Sequence, residues 1–253
     1  LSRRAVSFIE SSKDQPWFLY LTMFAVHTPI QAKKDLLDKY ESKTPGRLHH
    51  NAKMATMIQA VDDGVGRIVT KLEELGLTNQ TAIVFFSDNG GYGPATDMAP
   101  LKGYKGAYYE GGIREPFFVK WPGVVEAGTI NETHIIGVDL YPTFLEMTGA
   151  TAKDGQVQDG LNLVPLFKGG TFSERSLFWH FPAYLQSYGG KGPFEQRDPL
   201  FRSRPVGVVR HGDWKLMEFF ESGDLELYNL KQDIGESRNL ADVHPETLRK
   251  LHG

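Results

Sequence analysis

The sequence predicts an α/β protein: a mostly parallel sheet flanked by helices over residues 1–170, then a small antiparallel α+β unit over residues 171–253. Three observations carry this. An apolar strand, a long amphipathic helix and a second apolar strand follow one another within residues 17–87, the signature of a right-handed crossover between parallel strands. A third strand and a further helix extend the pattern to Gly149. Beyond residue 170 the texture changes to alternating strands joined by Gly-Asp turns.

Taken in order, "LSRRAVSFIESSK" places Ala5, Phe8, Ile9 and Ser12 at helical spacing and closes before Pro16, so a short amphipathic helix opens the chain. "WFLYLTMF" (17–24) is rich in aromatic and branched residues and reads as a strand buried on both faces, with His27 just past its end. From Asn51 to Leu75, Met54, Met57, Ile58, Val61, Val65, Ile68, Val69, Leu72 and Leu75 keep a helical period, and Gly76 is a plausible stop. "TAIVFFS" (81–87) is the second buried strand; parallel pairing with 17–24 would bring His27 and the pair Asp88-Asn89 to one crevice, where open α/β sheets bind ligands. "PFFVKWPG" (116–123) is a further strand, and "GVDLYPTFLEMTG" a helix from near Asp139, the expected N-cap, to Gly149. "VGVVRHGDWKLMEFF" and "DLELYNL" read as antiparallel strands, "PETLRKL" as a closing helix, and the Gly- and Pro-rich stretch 182–199 as the junction.

Composition narrows the function classes. Charged residues are 23% and the formal net charge is −3, which argues against a general electrostatic grip on nucleic acid or an anionic membrane. No apolar run approaches the roughly 20 residues that span a bilayer, and the opening residues have no signal-peptide core, so a soluble chain is expected. There is no cysteine, hence no disulfide or thiolate chemistry.

The chemistry concentrates in "FFSDNGGYGPATDMAPLKGYKGAYYEGGIREP". An acid and an amide at a strand end offer hard oxygens suited to Ca²⁺ or Mg²⁺, although Asp-Asn-Gly is also a common turn. Lys102 and Lys105 lie in a glycine-punctuated loop that lets an ammonium approach an anion closely. His27 can move a proton near neutral pH, and His180, set between aromatics in "SLFWHFPAY", either touches substrate or is simply packed. Asp62 and Asp63 are surface or capping residues. Together His27, Asp88, Asn89 and Lys105 suggest an anion-processing site.

These residues resemble the sulfatase family of the alkaline-phosphatase-like superfamily. The matching pieces are "PWFLYLTMFAVHTP", "MIQAVDDGVGRI", "VFFSDNGG", "KGAYYEGGIREPFFVKWPG", "DLYPTFLEMTG", "VVRHGDWKL" and "LYNLKQDIGESRNLA", in family order over almost the whole chain. The resemblance implies a partial alkaline-phosphatase-like fold and a sulfuric ester hydrolase acting on a sulfated small molecule or saccharide. It implies that Asp88 and Asn89 ligate a divalent cation, usually Ca²⁺, that Lys105 and His27 bind sulfate, and that His180 faces substrate. It further implies export to the periplasm or exterior.

One departure stands out. Sulfatases attack with a formylglycine made in a Cys/Ser-x-Pro-x-Arg motif, which is absent here, as are the paired aspartates that complete the cation site. The expectation is the C-terminal part of a longer sulfatase, inactive alone, whose uncovered sheet surface favours self-association. The alternatives are a related phosphomonoesterase or phosphonate hydrolase, and a non-catalytic anion-binding relative.

Overall fold

The computed structural model describes residues 1–188 and 200–253. Helix α1 (Ser2–Ser12) turns Ala5, Ile9 and Ser12 inward, the one-sided spacing the sequence predicts. It packs on the long helix α3 (Ala52–Glu74), to which Lys71 adds a 3.0 Å ion pair with Glu10. The Asn51 side chain caps α3 by accepting from the Met54 amide at 3.0 Å, and Gly76, at φ 69°, follows its end. Helix α2 (Lys34–Glu41), not anticipated from the sequence, leans on α3, where Lys39 and Tyr40 both donate to the Gln59 side-chain oxygen.

Residues 17–24 run extended but belong to no sheet. Their side chains alternate between half-buried and exposed, with Phe18, Tyr20 and Phe24 at 55%, 79% and 70% exposure. None of their backbone N–H groups bonds to a described residue. The second strand forms as β1 (Ile83–Phe86) and pairs antiparallel with β2 (Phe117–Lys120), Ile83 opposite Lys120. The expected mostly parallel sheet is therefore corrected: every strand pair among the described residues is antiparallel, and 17–24 is not buried on both faces. The physical reason is local. The chain between β1 and β2 folds back on itself, Ser87 N donating to Pro116 O, so the chain's own next strand takes the edge of β1.

A 3₁₀ turn (Gly137–Asp139) leads into α5 (Leu140–Thr148), closed by Gly149. Asp139 takes the expected N-cap position of α5, but its side chain caps none of that helix's amides. It is fully buried, accepts from the amides of Ile136 and Leu161 at 2.9 Å each, and pairs with Arg175.

The carboxyl-terminal part is the antiparallel sheet expected. Strands β3 (Ser176–Phe181), β6 (Val206–His211), β7 (Trp214–Phe219) and β8 (Asp224–Asn229) lie in that order, while β4 (Leu185–Gln186) pairs with β5 (Phe201–Ser203) apart from them. The short helix α6 (Val164–Phe167) precedes the sheet, and helix α7 (Pro245–His252) closes the chain. One face of the sheet, through Val206, Val208, Met217, Phe219 and Tyr228, packs on Ala107 and Tyr109. The sheet thus forms the floor beneath the lysine loop. Of the junction predicted at 182–199, residues 189–199 lie outside the described residues.

Candidate functional site

Two loops meet backbone to backbone. Gly90 N donates to Gly112 O at 3.0 Å, and Lys105 N donates to Gly91 O at 3.0 Å. The contact leaves no clearance: a β-carbon at Gly90 would lie 2.0 Å from the Gly111 carbonyl oxygen, and one at Gly111 2.3 Å from that of Gly103. Only glycine fits at these positions. Asp88 and Asn89 are in this way held against the loop that carries Lys105.

The lysine loop is fixed from below by buried charge. Glu110 opens α4 (Glu110–Ile113) and is 1% exposed; its carboxylate pairs with Lys215 and Arg210, each at 3.2 Å. Lys215, fully buried in β7, also pairs with Glu236 at 2.8 Å, and the Glu236 carboxylate accepts from the Glu110 amide at 2.6 Å. Burial pushes the Glu236 carboxyl up, while the Lys215 charge pulls it back. Arg210 donates to His134 Nε2 at 2.7 Å, and burial together with the Arg210 charge holds that imidazole below its usual range. The acceptor role assigns the neutral ring.

The two lysines have different fates. The Lys102 ammonium sits 4.0 Å from the Tyr109 ring centre and donates to Glu236 O at 3.2 Å; burial lowers its pKa. It is structural. The Lys105 ammonium has no ion pair or hydrogen bond to a described residue. Beside it, the Tyr188 hydroxyl donates to Lys105 O at 3.4 Å, and the Tyr188 ring touches those of Tyr92 and Tyr104.

Asp88 is exposed and Asn89 half-buried, and neither side chain has a partner among the described residues. Glu115 stands near: burial raises its carboxyl to about 7, a Ser87 hydrogen bond opposes this and the Asp88 charge adds to it. Its Oε1 is buried without a partner. Among the described residues no three His, Cys, Asp or Glu side chains gather into a metal cluster. The oxygens present suit a hard cation in kind but fall short of the six to eight Ca²⁺ takes.

The predicted histidines are not brought to these loops by any described contact. His27 is exposed beside Phe24; its Nδ1 donates to Thr28 O at 2.9 Å, which leaves Nε2 free, and it borders a shallow cavity with Thr56, Met57 and Ala60 of α3. His180 is exposed on β3, opposite Gly207, its ring 5.3 Å from Phe220. Sequence reading missed the anchors Glu110, Lys215 and Glu236. The signal for Lys215 was a lone lysine among apolar residues in "WKLM".

Comparison with known proteins places this geometry. The Sulfatase family model matches residues 1–150, and the model for the C-terminal region of N-sulphoglucosamine sulphohydrolase matches residues 104–251. The chain belongs to the sulfatase family. A sulfatase of Formosa agariphila is 34% identical over 93% of this chain and 44% of its own length. Human N-acetylgalactosamine-6-sulfatase is 31% identical over 70% of this chain and 34% of its own. The crystal structure of Ps i-CgsB superposes with TM-score 0.80 and 30% identity, over 99% of this chain and 52% of that one. A phosphonate monoester hydrolase of Agrobacterium radiobacter reaches only 0.55 over 79%, so the phosphonate alternative is not favoured. The chain spans between a third and about half of the length of these relatives.

Proposed function

We propose that this sulfatase chain forms the sulfate-gripping part of a sulfuric ester hydrolase site acting on a sulfated saccharide. Lys105 holds the sulfate, His27 offers its free Nε2 to the departing alcohol oxygen, and His180 faces substrate. Asp88 and Asn89 hold a divalent cation, Ca²⁺ in preference to Mg²⁺, with the rest of its ligands from outside this chain. The cation, when bound, draws charge from the sulfuryl oxygens. Developing charge on those oxygens is met by the Lys105 ammonium, preorganised by the Gly91 bond and the Glu110 anchor.

The observation that carries the reading is the unpaired Lys105 ammonium on a loop locked to Asp88-Asn89. A saccharide is preferred over an aryl sulfate because the Ps i-CgsB neighbour, at 31% identity, is also known in complex with a neocarrahexaose. The formylglycine that attacks sulfur in this family is not encoded here, so residues 1–253 alone are expected to hydrolyse no 4-nitrophenyl sulfate; steady turnover would overturn that. Calorimetric titration with inorganic sulfate tests the site itself. Lys105→Ala is expected to weaken binding about tenfold, the size of one charge-assisted contact, and an unchanged affinity would remove Lys105 from the site.

The exposed aromatic face of Phe18, Tyr20 and Phe24 makes self-association the expected state at high concentration. A sedimentation coefficient constant over a hundredfold dilution series starting in the high micromolar range would refute it.

A further inference from the structure

A second cation crosses the Lys105 loop, and among the described residues no ion pair or hydrogen bond assigns it a structural role. Arg202, on β5, lays its guanidinium 4.0 Å from the Tyr188 ring centre. Its stem crosses the lysine loop at Gly106, where an added β-carbon would lie 3.0 Å from both Cδ and Nε. Gly106 is the residue directly after Lys105, so the two side chains rise from adjoining ground. Tyr188 ties them together, its hydroxyl on the Lys105 carbonyl and its ring under the guanidinium.

Among the described residues, Arg202 Nε is buried with no hydrogen-bond partner and no carboxylate pairs with the guanidinium. Its positive charge makes the Tyr104 and Tyr188 phenols easier to ionise, although burial keeps both above their usual range. Stacking on an aromatic face fixes a guanidinium plane and leaves its edge free for a planar or tetrahedral oxyanion. A guanidinium with no carboxylate partner among the described residues favours an anion at that free edge.

We infer that Arg202, held on Tyr188, forms a second anionic subsite next to Lys105, so that the ligand is a saccharide bearing a further anionic oxygen group besides the sulfate at Lys105. Tyr92 and Tyr188, half-buried and packed edge to face, supply the aromatic wall against which a sugar ring rests. The second group is a sulfate ester or a carboxylate, which share the fork geometry that arginine reads. The inference rests on the proposed sulfate role of Lys105 and goes beyond it by naming the ligand's second charge.

The test is calorimetric titration of the full chain with three probes: glucosamine 6-sulfate, glucosamine 2-N,6-O-disulfate, and a monosulfated disaccharide carrying one uronate carboxylate. The wild type is expected to prefer one of the two dianionic probes over the monosulfate by about tenfold, one charge-assisted pair. Arg202→Gln is expected to cut that preference to within twofold while leaving the monosulfate affinity unchanged. Arg202→Lys, which keeps the charge without the fork, is expected to fall between, and it serves as the readout should the glutamine variant not fold. Whichever dianion shows the Arg202-dependent gain identifies the second group. Equal affinity of the wild type for all three probes, or a preference that survives both substitutions, overturns the subsite. Lys105→Ala separates the two ideas: it is expected to weaken all probes alike, and if it weakens none the sulfate role fails while the Arg202 preference is still measured on its own.

Discussion

The four-stranded sheet and residues 17–24 are both built from apolar, β-branched and aromatic residues, yet they end in opposite states. In the sheet, β3, β6, β7 and β8 pair in full register, and the bonds leave Val206, Met217 and Leu227 almost without exposure. Residues 17–24 are as extended and as apolar, yet their amides bond to nothing described and three large rings face outward. Strand character therefore lies in the residues, whereas a strand exists only when a second chain segment satisfies its backbone. Strands β6, β7 and β8 find their partners within a few residues along the chain, through turns at Gly212 and Gly223; no described partner follows 17–24 so closely.

Three measurements break or sharpen this contrast. The largest effect is expected inside the sheet. Lys215→Met leaves Glu110 and Glu236 as buried carboxylates that have lost their ammonium, and such removal of one partner costs about 3–5 kcal/mol. Urea unfolding reads it; a loss under about 1 kcal/mol would mean the ionic anchor does not hold the lysine loop.

Hydrogen exchange compares the two regions directly. Amides of β7, bonded on both sides, are expected to exchange only through large-scale opening, while those of 17–24 exchange at nearly unprotected rates. Strong protection of residues 17–24 would show that they had found a partner, most simply in a second copy, and sedimentation on the same sample would report it.

The smallest effect lies at the boundary, where Glu115 follows α4. Its carboxyl, pushed up to about 7 from the ordinary 4.5, holds the proton more tightly in the folded state than in the unfolded chain. Stability contributed by the neutral carboxyl is complete below about 4.5 and is lost as pH rises toward about 7. The group is partly open to solvent, so the effect is a shallow slope in melting temperature. Glu115→Gln is expected to flatten that slope, and a slope that persists unchanged assigns it to other groups. Ca²⁺ at Asp88 would favour the ionised form and flatten it too, which gives a metal readout independent of activity.

Much of this was legible in the sequence where the signal is local. Helices α1, α3 and α5 follow from apolar spacing and their stops, and the antiparallel ladders from alternation around Gly-Asp turns. The motif glycines and Asp88, Asn89 and Lys105 could be brought together because they lie within one local stretch, 88–112. Long-range facts were not legible. That Lys215 and Glu236 reach back more than 100 residues to Glu110 leaves no periodic trace, and whether 17–24 lies beside 83–86 depends on what else enters the sheet. The same holds for His27 and His180, whose convergence on Lys105 was expected from parallel order and from likeness, while the described contacts seat them on other elements.

The touching main chains at Gly90 and Gly111 carry an evolutionary consequence. Where two strands of backbone already abut, no mutation can add a group, so innovation is shut out of the heart of the site. Variation in what the proposed site recognises is left to the bordering ground around Arg202 and Tyr188, and relatives that bind different anions should differ there first.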